Sequence, residues 1–245
     1  MNKVNKGSYD VLEKAIKLLK DQSPFGSAPR EWLTWVYKDS NNQLLKQSLS
    51  LVSDKPIRRE DIYQMVTSRN IETITCVATI LAWGGMQRPN GSSALSTVSY
   101  WLPVCDEIRS GKLSRIEGYE KLMSIRIKNQ MIGMGPAFFT KLIFFLMHGQ
   151  KNQGYIMDQW TGASVNLLSE SELVKLKKQK NKKKNTYSEI VDDKNTAKDY
   201  ENFCSYVEYL AEKLKQNPVS VELAMFSEGR GKGTWRNYVV ASRLK

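Results

Sequence analysis

Apolar residues recur at spacings of three and four along most of the chain, as in Val11, Leu12, Ile16, Leu18 and Leu19. That period gathers them on one face of a helix and turns the intervening polar positions to water, so it predicts amphipathic helices. Start signals agree with it. Asn70 precedes the apolar run from Ile71 to Trp83, Ser114 and Glu117 have capping-box spacing, and Pro136 follows Gly135 at an expected first helical position. Alternation with a period of two is brief, around Ser48 to Ser53, and fits either a short strand or a loop leading into the next helix. The pattern predicts an all-α fold.

Clusters of Gly, Pro, Ser and Asn place loops at Ser23 to Gly26, Ser53 to Pro56, Arg88 to Gly91 and Gly229 to Gly233. The largest interruption is Ser169 to Asp199, where aliphatic residues thin out and Lys175 to Lys184 is mostly lysine. A run of like charge repels itself, so a basic, mobile, solvated insertion is expected there. No internal repeat of fixed period is present.

Composition narrows the class. With 245 residues, 41% of them hydrophobic, the chain can bury the core of one large domain or of two small lobes. Its 37 Lys and Arg against 25 Asp and Glu leave a net charge of +12, whose field attracts polyanions and makes nucleic acid the first partner to consider. The 169–199 segment holds 9 basic and 6 acidic residues, a net of +3, so +9 belongs to the rest of the chain. Cys76, Cys105 and Cys204 are isolated from one another, which argues against a zinc or iron–sulfur site and for reduced thiols. His148 is the single histidine, which excludes a histidine-based triad or a histidine-rich metal centre. Met1 to Lys6 have no leader-like apolar core, and no apolar run reaches the roughly 18 residues needed to cross a bilayer. A soluble cytoplasmic protein without metal, cofactor or membrane partner is expected.

The most informative stretch runs from Ile132 to Leu146, beginning Ile132-Gly133-Met134-Gly135-Pro136. Two glycines around one apolar residue form a tight turn whose backbone can approach a ligand closely. The helix that follows opens with free amide N–H groups at its positive dipole end, so a phosphate can dock there without any side chain. Asp158 lies 23 residues beyond Gly135, framed by Tyr155, Ile156, Met157 and Trp160. A carboxylate in that setting is a helix cap, a reactive acid, or both. Either feature alone is common; together they are more specific.

A hairpin of this form, then an apolar helix, a loop and an aspartate opening another helix, resembles the helix-hairpin-helix (HhH-GPD) DNA glycosylases, in particular their bacterial 8-oxoguanine DNA glycosylase-like branch. The resemblance covers about residues 115 to 168, with looser support from Ile80 to Gln87, which is similar to the helix leading into the family's DNA-wedging loop. It implies two helical lobes with a DNA-binding cleft between them, expected here as a central lobe at 59–124 and a hairpin lobe made of 1–58 and 125–245. It further implies that Gly133, Met134 and Gly135 hold backbone phosphates and that Asp158 drives loss of a flipped base. Bifunctional members place a Schiff-base lysine two residues after the second glycine, where this chain has Ala137. Lys141 is one helical turn further on, about 6 Å along the axis and on the same face, so lyase chemistry through Lys141 stays open beside the favoured monofunctional route.

The glycosidic bond breaks through an oxocarbenium-like sugar, which a carboxylate near C1′ stabilises. A base within a duplex must first be extruded, and Gln87 or Met86 is a candidate to fill the gap. Arg88, Arg230, Lys232 and Arg236 are candidate phosphate contacts. Trp32, Trp35, Trp83 and Trp235 are candidates to stack on the extruded base, although tryptophans at helical spacing are by default core residues. The expected function is therefore excision of a damaged or modified base from double-stranded DNA by a monomer. Two substrates fit: 8-oxoguanine, in repair, or a modified phage base such as glucosylated hydroxymethylcytosine, in antiviral defence. The rivals are a noncatalytic helix-hairpin-helix DNA-binding module and a protein-interaction domain whose basic surface is incidental.

Overall fold

The computed structural model describes residues 3–19, 23, 25–40, 43, 45–181, 186–226 and 233–243. Among them are thirteen helices and one two-stranded antiparallel sheet, so the fold is mostly α-helical as the spacing predicts. Contacts divide the chain into two units, Met1–Asp21 with Tyr155–Lys245, and Gln22–Gly154. The sequence breaks near 58 and 125 both fall within the second of these. The first helix, α1 (Lys6–Lys17), starts where the Asn5 side chain accepts from the Ser8 amide, and it buries Leu12, Ala15 and Ile16.

The unit Gln22–Gly154 contains α2 (Pro29–Ser40), α3 (Leu45–Leu51), α4 (Arg59–Thr67), α5 (Thr73–Trp83), α6 (Arg88–Ser96), α7 (Val98–Arg109), α8 (Arg115–Ile127) and α9 (Pro136–Leu146). Its centre is made by α5, buried from Ile74 to Trp83, and α9, buried from Phe139 to Leu146. The brief alternation at Ser48–Ser53 belongs to α3 and the residues after it. Leu45, Ser48 and Val52 are the buried positions, spaced by three and four, and Ser48 shares a hydrogen bond of 2.8 Å with Thr75 of α5. The helix expected from Ile71 begins two residues later, because the Ile71 carbonyl is held at 2.6 Å by Arg109. The capping box at Ser114 and Glu117 and the first-position proline at Pro136 are both present.

The other unit adds α10 (Gln159–Ser169), β1 (Leu176–Asn181), β2 (Thr186–Val191), α11 (Ala197–Leu214), α12 (Pro218–Phe226) and α13 (Thr234–Arg243) to α1. It also contains the basic insertion expected at 169–199. Its described part is an antiparallel β-hairpin, with Leu176 opposite Val191 and Lys178 opposite Glu189. Lys182, Lys183 and Lys184 of the lysine run lie outside the described residues. The hairpin is rooted on α10, where Gly162 leaves room for Val174 and Leu176, and Lys175 and Lys177 are neutralised by Asp199, Asp192 and Asp193.

Candidate active site

The turn between α8 and α9 is held from inside. Arg126 donates to the Met134 carbonyl at 2.8 Å, while Met131 and Met134 are buried and Ile132 is left exposed. Gly133 has φ +77, and a Cβ there would stand 2.6 Å from the Asn90 carbonyl oxygen. Glycine is thus required twice over, by backbone conformation and by the approach of α6. Gly135 is the N-cap of α9 in an extended conformation, and no side chain caps the helix. Helix α6 also starts without a side-chain cap, after Gln87. The Gly133–Asn90 contact therefore sets the first turn of α6 beside the hairpin, with two uncapped helix starts in one unit. Gln87 is exposed, whereas Met86 is buried, and Arg88 pairs with Glu31.

Lys141 lies on α9 with its aliphatic stem against Gly84, where a Cβ would come within 2.8 Å of Cδ. Its ammonium donates to the Ala137 carbonyl at 2.6 Å and sits 4.9 Å from the Phe138 ring. Helical side chains lean toward the N-terminus. That lean brings the charge of Lys141 back to the level of Ala137, and the side chain is 6% exposed.

Asp158 belongs to the other unit and is the N-cap of α10, 7% exposed. Its Oδ1 accepts from the Trp160 amide at 2.7 Å and the Thr161 amide at 3.1 Å. Its own amide donates to Thr161 Oγ1 at 2.9 Å, and that hydroxyl donates to the Ile156 carbonyl at 2.8 Å. Two arginines lie over the Trp160 ring. The guanidinium carbon of Arg236 is 4.0 Å from the ring centroid and that of Arg243 is 5.1 Å from it. Arg236 donates to the Phe226 carbonyl, while its Nε is buried without a partner among the described residues. Arg243 donates to the Gln159 carbonyl at 3.0 Å and pairs with Glu189 at 3.1 Å. Burial draws both guanidinium groups below the ordinary arginine pKa, and the Asp158 charge opposes that pull on each. Both stay cationic, since arginine keeps its proton in proteins.

The tryptophans divide by environment. Trp32 donates to the Met86 carbonyl at 2.7 Å and Trp235 to Ser164 Oγ at 2.8 Å, so both are anchored in cores. Trp83 is buried with its indole N–H unpartnered among the described residues, and its ring meets Phe145 edge-on at 5.0 Å. Trp35 is half-buried. Arg230 and Lys232 lie outside the described residues. Trp160 and Arg243 were not singled out as site residues from the sequence. The available signal was the spacing of Arg236 and Arg243, seven residues apart and hence on one face of α13.

The family model described as "Putative 8-oxoguanine DNA glycosylase OGG-like protein" matches residues 20–226. Neither a curated protein nor a solved structure gives a match.

Proposed function

Because this chain belongs to the 8-oxoguanine DNA glycosylase OGG-like family, matched over residues 20–226, we propose that it excises a damaged or modified base from double-stranded DNA, with Asp158 as the essential carboxylate. The observation that supports this reading most directly is the setting of Asp158, a buried acid fixed through one oxygen by two backbone amides. As the bond from C1′ to the base nitrogen lengthens, positive charge builds on the sugar, and a carboxylate already in place lowers that barrier without reorganising. The bonding electrons leave with the base, the oxygen of a water molecule bonds to C1′ and keeps one of its protons as the new hydroxyl, and its other proton ends on the base nitrogen. Gln87, exposed at the start of α6, fills the gap left by the extruded nucleotide. The Gly133–Gly135 turn and the uncapped start of α9 hold a backbone phosphate.

Asp158→Asn tests the assignment cleanly. Asparagine caps helices as well as aspartate does, so the variant keeps the fold while losing the charge. Base release from damaged or modified duplexes is expected to fall at least 100-fold with DNA affinity retained, as removal of one preorganised transition-state group costs on that order. Full excision by the variant overturns the catalytic reading and leaves a noncatalytic DNA-binding module. A duplex panel that sets 8-oxoguanine against glucosylated hydroxymethylcytosine separates repair from antiviral defence.

The placement of the Lys141 ammonium at the level of Ala137 favours one further test, of lyase chemistry. A lysine amine attacking C1′ must be deprotonated, and the resulting Schiff base is trapped by borohydride. The monofunctional route predicts no covalent adduct; an adduct that vanishes in Lys141→Ala replaces it with the lyase.

A further inference from the structure

The β1–β2 hairpin separates its lysines by face and by partner. Lys175 and Lys177, at the root, are paired with Asp199, Asp192 and Asp193. Leu176, Lys178 and Lys180 alternate with them and occupy the opposite face, together with the cross-strand partners Val191 and Glu189. That face runs along α10 toward its start. Leu176 packs at Gly162, and Glu189, level with Lys178, is tied through Arg243 to the Gln159 carbonyl, one residue from Asp158. Arg243 occupies the carboxylate that lies across from Lys178. Lys178 and Lys180 are exposed and form no ion pair among the described residues. They stand about 6.6 Å apart along the strand. Adjacent phosphates of one DNA strand are separated by nearly the same distance, about 6–7 Å once the helical twist is added to the 3.4 Å rise per step.

We propose that this hairpin is a DNA-backbone arm, in which Lys178 and Lys180 contact phosphates flanking the nucleotide presented to Asp158. The proposal rests on the glycosylase reading above. The folded hairpin pre-orders the two ammonium groups on one face, and the Glu189–Arg243–Gln159 connection holds that face in register with the Asp158 helix start. Neutral duplex ends or single bases would gain nothing from such an arm; the polyanionic backbone would.

The experiment is salt-titrated binding of the full chain to a 20-base-pair duplex, comparing wild type, Lys178→Ala/Lys180→Ala, Lys178→Arg/Lys180→Arg, and a charge-matched control, Lys14→Ala/Lys198→Ala. Each phosphate contact contributes about 0.9 to the slope of log affinity against log salt, so the hairpin alanine pair should flatten the slope by about 1.8 and weaken binding on the order of tenfold near 0.15 M salt. The arginine pair should restore both. A hairpin alanine pair that behaves like the control overturns the arm, even where the wild type binds DNA and excises a base. A wild type that binds no duplex in low salt defeats the glycosylase reading, and the arm falls with it.

Discussion

The two oxygens of the Asp158 carboxylate have different surroundings. Oδ1 is occupied by the Trp160 and Thr161 amides, and Oδ2 accepts no hydrogen bond from the described residues. One oxygen therefore fixes the side chain, and in the reaction proposed above the other is the one that faces the sugar or water. Capping and catalysis can then be separated by the choice of substitution. Asp158→Ala loses both and should cost about 1 kcal/mol of stability, whereas Asp158→Asn should keep stability within a few tenths of that of the wild type, both read from urea midpoints. An Asn variant as unstable as the Ala variant would mean that the charge, not the cap, holds the turn. Gly133→Ala imposes a left-handed alanine and a contact of 2.6 Å on the Asn90 carbonyl. It should cost at least about 1–2 kcal/mol and weaken DNA binding. Both positions were visible in the sequence, since glycine at a tight turn and an acid before a helix are locally determined. The stacking of Arg236 and Arg243 on Trp160 was not, because it is set by the docking of α13 on α10, residues far apart in the chain.

At the scale of elements, a single side chain joins three helices. Arg109, at the end of α7, donates to the Val66 carbonyl at 2.9 Å and the Ile71 carbonyl at 2.6 Å, and also reaches the Ser68 carbonyl between α4 and α5. Hydrogen bonds from a charged donor to groups that have lost their water are among the stronger ones. Arg109→Met keeps the stem but abandons these carbonyls, and should lower unfolding stability by about 3 kcal/mol. A loss below about 1 kcal/mol would show that water replaces the guanidinium there. Helix positions were legible because their apolar period survives tertiary packing, as in α1, α5 and α9. The β-hairpin was not, for a physical reason. A ribbon closed by its own backbone pairs needs apolar residues only at its root, here Val174, Leu176 and Val191, and a window averaged over the lysine run dilutes them. The tie between Glu189 and Arg243 is likewise invisible to local patterns.

For the whole molecule, the buried and titratable groups set how stability depends on pH. The Cys76 thiol is pushed by burial up to about 11, so it should resist thiol reagents in the folded chain near neutral pH. His148 stacks on Tyr63 with centroids 3.7 Å apart, and partial burial lowers its pKa from 6.5. The unfolded chain then binds its histidine proton at a higher pH than the folded chain does. The stabilising contribution is complete above pH 6.5 and is lost as pH falls from there through the lower folded value. Glu60, Glu117, Glu170 and Asp199 are held below their ordinary values of 4.5 and 3.8, so their contributions are present above those values and disappear in a separate, more acidic range. Because His148 is the single histidine, the decline that begins as pH falls below 6.5 should be traceable to one residue. His148→Gln removes the titrating group while leaving a planar polar side chain against Tyr63. Its melting temperature should be flatter than that of the wild type over this interval, and the two curves should fall in parallel below pH 4.5. Parallel curves just below pH 6.5 as well would mean that the stacked imidazole titrates alike in the folded and unfolded chains, and that burial at this site does not govern its charge.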